Sequence, residues 1–267
     1  MIYSMVLNNI FLKYNITTSD ITKGKKDMRL GGYLVLEVTR KCNMGCEHCL
    51  RGHCQNLDMT IETAKNTLDK FEYISNLTFT GGEPTLNAKL IKWVAEYIKE
   101  RGIGFGSFYV VSNGKEYSRD LVDACLDLWC LSEEKDFCGL SVSIDQFHSG
   151  FDKEAYLRYS ALSFFNHDKE CRDGMDRIID RGNAQENGIG TFEKEVSEFD
   201  PRYADAVGNG DSIDLGDNVF YVNVNGDVVF DCDLSYEQQE EYKVGNINTD
   251  DVPGILSEIM AQNEELD

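Results

Sequence analysis

Two periods of hydrophobic and polar residues alternate along the chain. Short apolar runs are followed by segments whose apolar residues recur every three or four positions, which are the patterns of strands and of amphipathic helices. Strands that alternate with helices of this length indicate successive β/α units and a parallel sheet. The predicted strands are residues 33–39, 76–80, 105–112 and 138–145, and the predicted helices are residues 60–73, 87–101, 118–131 and 152–165.

This rhythm changes after the fourth unit. A fifth strand is predicted at residues 175–180, whereas residues 185–212 are polar and Gly-rich, as expected for loops. The run at residues 219–232 predicts a β-hairpin with a type I′ turn at Asn225-Gly226, and a last helix is predicted near residues 252–262. The expected parts of the protein are an arm at residues 1–30, an α/β core at residues 31–212 and a hairpin and helix extension at residues 213–267.

The two faces of the predicted strands differ. Leu77 and Phe79 lie on one face of the second strand, and Thr78 and Thr80 lie on the other. Helices outside the sheet would cover the apolar face, which leaves polar side chains on the inner face. A closed eight-stranded barrel fills its interior with bulky branched residues. We therefore expect an open, partial barrel that holds a substrate.

Charge and cysteine usage narrow the class of protein. The chain has 26 basic and 47 acidic residues, a net charge of −21, which argues against a nucleic-acid partner. No apolar run approaches the roughly 20 residues of a membrane span, and no signal peptide is recognised. The chain has nine cysteines, an odd number, which suits metal binding in a reducing cytoplasm better than a disulfide framework. We therefore expect a cytoplasmic protein without a membrane partner.

Three cysteines are crowded together directly after the first predicted strand. Cys42, Cys46 and Cys49 have the spacing C-x₃-C-x₂-C. A [4Fe–4S] cluster normally has four cysteine ligands, so three would leave one iron open for a ligand that is not protein. Thiolates also bind zinc. On the cysteines alone, a zinc site completed by His48, His53 or Cys54 remains open.

Further candidate motifs follow the other strands. The sequence Gly-Gly-Glu-Pro at residues 81–84 comes after the second strand, Asn113 after the third, and Asp145 ends the fourth. Ligands of α/β barrels and open α/β sheets bind at the carboxyl ends of parallel strands. The shared position of these motifs predicts one site at that edge. The alternative is ordinary turn chemistry, since Gly, Pro and Asn-Gly occur in turns of every kind.

The joint pattern CNMGCEHC and GGEP resembles the radical S-adenosylmethionine (SAM) superfamily, over at least residues 33–145. This resemblance implies a partial (β/α)₆ barrel, here with a C-terminal β-hairpin and helix elaboration. It also implies a [4Fe–4S] cluster on the three cysteines, with the amino and carboxylate groups of SAM on the open iron. An electron from an external donor then cleaves SAM, and the resulting 5′-deoxyadenosyl radical abstracts a hydrogen from the substrate.

The resemblance also implies roles for individual residues. His48 occupies the position of an aromatic side chain that packs on adenine, a departure from the usual pattern, and His148 is predicted, with Asp145, to act in catalysis. Lone histidines in loops are more often structural, so that alternative stays open. The glycines are expected to let the backbone approach SAM without a Cβ. The residues expected at SAM are His48, Gly81, Gly82, Glu83, Pro84, Ser112, Asn113, Ser143 and Arg181.

The substrate is less well indicated. The Cys loop, GGEP and the trailing hairpin together resemble maturases of ribosomally made peptides, although no leader-binding domain is expected before residue 33. The alternatives are a glycyl-radical activase, an enzyme of a small metabolite, or a zinc or iron–sulfur protein without radical chemistry. A second cluster is not expected, because no cysteine follows Cys232. The sequence indicates no oligomeric state.

Overall fold

A single mixed sheet with helices on its outer side forms the core of the protein. The computed structural model describes residues 28–148, 150–166, 177–208 and 210–264. The strands are β1 (Arg29–Thr39), β2 (Phe71–Gly81), β3 (Gly104–Ser112), β4 (Gly139–Val142), β5 (Asp205–Val207), β6 (Ser212–Val222), β7 (Asp227–Val229) and β8 (Gly245–Asn246). The helices are α1 (Ile61–Leu68), α2 (Ala88–Arg101), α3 (Arg119–Leu131), α4 (Lys153–Tyr159), α5 (Asn183–Glu186), α6 (Tyr236–Glu241) and α7 (Val252–Glu264).

The sheet order places β1 in the interior of the sheet. The order is β4-β3-β2-β1-β6-β7-β8, with β5 paired to β6. Strands β1 to β4 are parallel to one another, and β6 is parallel to β1 on its other side. The predicted α/β fold with a parallel partial-barrel sheet is confirmed. Four successive β/α units form it within the described residues, and β6 supplies a further parallel strand from the C-terminal extension.

The predicted fifth strand lies partly outside the described residues. Of its described part, Ile179 forms a single parallel bridge with Phe192. The predicted arm at residues 1–30 is described only from residue 28, where the chain enters β1. Across the described ranges, no helix is long and apolar enough to cross a membrane.

Helix α1 ends five residues earlier than the sequence pattern predicts. Its apolar period continues to Phe71, but the amide of Leu30 donates to Lys70 O at 2.7 Å, and Leu30 pairs with Phe71. The backbone groups that another helical turn would need are therefore used in hydrogen bonds to β1. Helix α2 ends at Arg101, as predicted. Gly102 follows it in the left-handed conformation at φ 66°, which ends the helix.

The two faces of the sheet are as unequal as the alternation predicts. Leu77 and Phe79 are buried under the helices, whereas Thr78 and Thr80 on the inner face stay partly exposed. Among the described residues, a small apolar cluster covers the inner face beside β1, β6 and β7, formed by Val35, Tyr221, Val229 and Leu234. Beside β2 to β4 the inner face is polar: Thr78, Thr80 and Ser143 are partly exposed, whereas Ser107 and Ser141 are buried.

The predicted hairpin is present, but its turn is different. Val222 pairs with Val228, and the amide of Asn223 donates to Asp227 O at 3.0 Å, so residues 224–226 form the loop. Within it, the amide of Gly226 donates to Asn223 O at 2.9 Å. The loop therefore has three residues and ends on Gly226 at φ 88°, and the predicted two-residue type I′ turn is wrong. The amides of Asn225 and Asp227 both donate to Asn223 Oδ1, which stabilises the longer loop.

Strand β6 contains a bulge where it follows β1. Gly31 pairs with Asp214 but Tyr33 pairs with Val219, so β6 has three more residues than β1 in this stretch. Gly216 lies within the bulge at φ 56°, where an added Cβ would come within 1.9 Å of Tyr203 O. Only glycine fits this backbone without displacement.

We expect Gly216→Ala to destabilise the protein by about 3 kcal/mol, because it adds left-handed strain and a backbone clash. Gly208→Ala is the matched control. It also lies at positive φ, 68°, but has open space around it, so we expect a loss of about 1 kcal/mol. Urea unfolding of both variants measures the difference, and equal losses would contradict the described bulge.

Candidate active site

A cavity of about 170 Å³ lies at the carboxyl edge of the parallel strands. Its wall is formed by the ends of β2 and β3 and by the segment after β4. The sequence predicts this, because the candidate motifs all follow strands at the same edge of the sheet. Eight of its lining residues were predicted from the sequence, and Thr80 and Val111 were not. The lining residues are Thr80, Gly81, Gly82, Glu83, Pro84, Val111, Ser112, Asn113, Ser143 and His148.

The loop after β1 holds the three cysteine thiols beside this cavity. Cys42, Cys46 and Cys49 are all partly buried. The amide of Met44 donates to Cys42 Sγ at 3.5 Å, and Asn113 Nδ2, from the cavity lining, lies 3.7 Å from the same sulfur. Cys42 therefore joins the loop directly to the cavity wall.

These thiols fit a metal centre chemically. Burial, with a smaller effect of the neighbouring Cys42, Cys49 and Asp145, raises the pKa of Cys46 to about 11. The pKa of Cys42 is also raised, mainly by burial. Neighbouring thiols repel one another when they lose their protons, and a bound metal cation offsets this repulsion and stabilises the thiolates. The iron ions of a cluster on these three residues would supply that positive charge.

The Gly-Gly-Glu segment continues the pairing of β2 with β1 beyond the strand ends. The amide of Gly82 donates to Thr39 O and the amide of Glu83 donates to Lys41 O, both at 2.8 Å. A Cβ would come within 2.0 Å of Thr39 O at Gly81 and within 2.2 Å of Lys41 O at Gly82. In this structure the glycines are thus required by the approach of the Cys-loop backbone. The sequence motif alone predicts the approach of a ligand instead.

The Glu83 carboxylate joins two strand ends. It is buried, and its oxygens accept hydrogen bonds from Asn113 N at 2.7 Å, Ser112 Oγ at 3.0 Å and Thr85 N at 3.1 Å. Burial raises the pKa of Glu83 above its ordinary value, although these three donors oppose the shift. Glu83 therefore fixes the end of β3 against the end of β2 and shapes the cavity floor.

The segment after β4 forms a tight turn at the cavity mouth. Asp145 Oδ2 lies 2.7 Å from His148 Nδ1, and Asp145 Oδ1 accepts the amides of Phe147 and His148. The ring of His48 stacks on Phe147 with centroids 4.5 Å apart and meets His148 edge-on at 5.1 Å. The His48 Nδ1 atom is buried and has no hydrogen-bond partner among the described residues. His48 itself is not among the residues that line the cavity.

Residues 36–151 match the family described as the Radical SAM superfamily. This segment therefore matches a radical SAM domain. The matched segment begins within β1 and ends beyond the Asp145 turn, so it includes the three cysteines and all the residues that line the cavity. Members of this superfamily use a [4Fe–4S] cluster and SAM, as the sequence analysis expected.

Curated relatives match shorter segments of the chain. An uncharacterised protein of Methanocaldococcus jannaschii is 39% identical over 71 residues, which are 26% of this chain and 25% of that protein. The cofactor-modifying protein of tungsten-containing aldehyde ferredoxin oxidoreductase from Pyrococcus furiosus is 33% identical over 106 residues, 36% of this chain and 29% of that protein. An AdoMet-dependent heme synthase of Oleidesulfovibrio alaskensis is 35% identical over 63 residues, 22% and 16% of the two chains. The chain spans less than a third of each relative.

Two solved structures resemble larger parts of the chain. One is native anSMEcpe with bound AdoMet and a Cp18Cys peptide, with a TM-score of 0.48 and 12% identity, over 89% of this chain and 82% of that one. The other is Streptococcus suis SuiB bound to the precursor peptide SuiA, with a TM-score of 0.48 and 12% identity, over 92% and 66% of the two chains.

Arg181 lies away from the lining of the radical SAM cavity. Its guanidinium donates to Asp233 O at 2.7 Å and to Lys194 O, and it lies 3.6 Å from Asp231. The rest of this turn contacts the Cys loop, because Asn183 N donates to Cys49 O at 2.9 Å. The Gly-rich turn thus supports the cysteine loop through its backbone, while Arg181 binds the C-terminal extension.

In the part of the chain that the structure describes, two groups of three side chains have ligand atoms close enough to hold a metal ion: His48, Asp145 and His148, and Asp231, Cys232 and Asp233. In the first group, both oxygens of Asp145 already accept hydrogen bonds inside the turn. His53, a possible zinc ligand on sequence grounds, has a side chain that is 81% exposed and lies 3.2 Å from Glu186.

Glu83→Gln is expected to change how stability depends on pH. Above the ordinary glutamate pKa of about 4.3, the folded state retains a proton that the unfolded state has lost. The unfolding free energy contributed by Glu83 therefore falls as pH rises through the interval up to the raised folded pKa. Urea unfolding of the cofactor-free protein from pH 4 to 8 should show a slope that the variant lacks. The exposed Glu96→Gln is the control, and parallel curves for wild type and Glu83→Gln would contradict the assignment.

Proposed function

We propose that this chain is a radical SAM enzyme whose cluster is held by Cys42, Cys46 and Cys49. The observation that supports this is the contact between the cysteine loop and the cavity wall, made by Asn113 on Cys42 and by Glu83 N on Lys41 O. When bound, the cluster and SAM supply a 5′-deoxyadenosyl radical that abstracts a hydrogen atom, using an electron from an external donor. The protein binds and shields these groups.

The cavity residues offer a matching set of polar groups for SAM. Gly81 to Pro84 border the side nearest the cysteines, where the amino end of SAM would bind. Ser112, Asn113 and Ser143 lie along the ends of β3 and β4 and would bind its ribose and carboxylate. His48 stands outside this lining, but its ring contacts the lining residue His148. Its buried Nδ1, which has no partner among the described residues, would hydrogen-bond to SAM.

Asp145 and His148 are proposed to handle a proton of the substrate. The Asp145 carboxylate accepts from His148 Nδ1, which leaves Nε2 as the free acceptor of the imidazole. His148 also lines the cavity. Nε2 can therefore take a proton from the substrate after a hydrogen atom has been removed, while Asp145 holds the ring in place.

The proposed substrate is a ribosomally made peptide. Its support is the resemblance of the Cys loop, GGEP and trailing hairpin to peptide maturases, together with the partly exposed polar side chains Thr78, Thr80 and Ser143 on the inner face. A second candidate, a tetrapyrrole or another cofactor, is favoured by the names of two curated relatives, a cofactor-modifying protein and a heme synthase. Both substrates would enter above the Asp145 turn.

Reconstituted anaerobically and reduced with dithionite, the wild-type protein should convert SAM to 5′-deoxyadenosine. Cys42→Ser, Cys46→Ser and Cys49→Ser should each abolish the product, because each removes one of the three thiolates that the cluster needs. Cys54→Ser, an exposed thiol in the same loop, is the control and should retain it. A stable zinc site without SAM cleavage in the wild type would instead establish the binding-protein alternative.

We also expect substrate hydrogen to appear in 5′-deoxyadenosine. A peptide deuterated at its Cα and Cβ positions, chosen from short reading frames beside the gene, should transfer deuterium, and a deuterated coproporphyrin should not. Mass spectrometry of the nucleoside makes the measurement. Transfer from the porphyrin alone would replace the peptide proposal with the second candidate.

His148→Gln gives the matching test of the proton-handling pair. It should preserve SAM cleavage and deuterium transfer while lowering formation of the final product by roughly 100-fold, the scale of a lost general base. Equal product formation by variant and wild type would remove His148 from the proposal.

A further inference from the structure

The cysteine loop is closed at its base by backbone hydrogen bonds. Arg40 N donates to Leu57 O at 2.9 Å, Gln55 N donates to Arg40 O at 3.0 Å, and Met59 N donates to Val38 O at 3.0 Å. Residues 41–54 thus leave the sheet and return to it at Arg40. The position of Arg40 therefore sets the position of the whole loop.

The Arg40 guanidinium is buried, and each of its three nitrogens donates a hydrogen bond. Nε donates to Glu37 Oε1 at 2.6 Å, Nη2 donates to Gln239 Oε1 at 2.6 Å, and Nη1 donates to Gln55 Oε1 at 3.0 Å. Its plane lies over the ring of Tyr236, 4.4 Å from the centroid. Two of these partners, Gln239 and Tyr236, belong to helix α6 of the C-terminal extension.

Gln239 is matched to both members of this buried ion pair. Its Oε1 accepts from the Arg40 cation, while its Nε2 donates to Glu37 Oε2 at 2.9 Å and lies 3.3 Å from the Tyr221 hydroxyl. Gln239 and Glu37 are fully buried. A buried ion pair is tolerated only when its remaining hydrogen-bonding groups are satisfied. An amide can satisfy both charges, because it has one acceptor end and one donor end.

A second arginine anchors the other end of the loop. Arg51, two residues beyond Cys49, is buried and donates to Leu234 O at 2.6 Å and to Cys232 O at 2.5 Å. Tyr236 N in turn donates to Arg51 O at 3.0 Å. Both arginines that flank the three cysteines are therefore held by the same short segment of the C-terminal extension.

We propose that Gln239 is a positioning residue for the cysteine loop. It acts through Arg40, which it holds beside Glu37, so that Lys41 O meets Glu83 N and Cys42 meets Asn113. Arg51 is the second anchor of the same arrangement. This inference rests on the proposed function, since it assigns the C-terminal extension the task of setting the cluster ligands against the cavity.

The test compares Gln239→Leu with Asn218→Leu. Asn218 is a buried amide of the same extension whose three hydrogen bonds join Asp200 and Leu215, away from the cysteine loop. Both variants lose a buried amide of the extension, so a merely structural effect should appear in both. Amide hydrogen exchange of the cofactor-free protein and EPR of the reduced cluster with SAM are measured for each.

Gln239→Leu should raise hydrogen exchange selectively in residues 41–54. It should also broaden or shift the cluster signal, and lower 5′-deoxyadenosine formation by roughly 10- to 100-fold, the scale of a lost outer-shell partner. Asn218→Leu should change none of these. If Gln239→Leu does not fold, Arg40→Lys replaces it, because lysine keeps the charge but cannot bind Glu37, Gln55 and Gln239 together.

The inference would be overturned if folded Gln239→Leu showed the hydrogen exchange, EPR signal and SAM cleavage of the wild type. It would also be overturned if Asn218→Leu raised exchange in residues 41–54, altered the cluster signal and lowered SAM cleavage as Gln239→Leu is expected to do. A wild-type protein that binds no cluster would be a separate result. That result would contradict the proposed function, whereas the exchange measurement on the cofactor-free protein would still decide the role of Gln239.

Discussion

The arrangement of the site depends on one backbone contact, the pairing of the Gly-Gly-Glu segment with the start of the cysteine loop. Two amides of this segment donate to Thr39 O and Lys41 O, beyond the point where β1 and β2 end as strands. The contact requires residues without side chains at positions 81 and 82, because a Cβ would overlap the neighbouring carbonyls. It brings the cysteines to one border of the cavity and Glu83 to its floor.

The C-terminal extension acts on the same loop from the other side of β1. Strand β6 pairs with β1 in parallel, and α6 places Gln239 and Tyr236 against Arg40. The cysteine loop is therefore held between the GGEP edge and the extension. Over the described ranges, the inner face is apolar and filled beside β6, and it is polar with partly exposed side chains at the ends of β2 and β4.

Local patterns in the sequence were sufficient for much of this architecture. The periods of two and of three to four residues predicted the first four β/α units, and the strand ends predicted the residues that share the cavity. Helix α1 was predicted too long, because its apolar period runs on into residues that pair with β1. The hairpin register was also wrong, because Asn223 accepts two amides and stabilises a three-residue loop.

Contacts between distant parts of the chain could not be predicted in this way. Arg40 and Gln239 are separated by 199 positions, and nothing in the local pattern around either residue indicates the other. The same holds for Arg181, whose place in a Gly-rich turn indicated the cofactor but whose guanidinium binds Asp233 and Lys194 of other segments. A buried polar network is satisfied by tertiary partners, which periodicity does not encode.

EPR of the anaerobically reconstituted, reduced protein tests the central claim most directly, with and without SAM. If three cysteines hold the cluster and one iron faces the cavity, SAM should bind that iron and shift the g-values of the reduced cluster. A signal that is unchanged by saturating SAM would mean a cluster with no open iron beside the cavity, and would contradict the account.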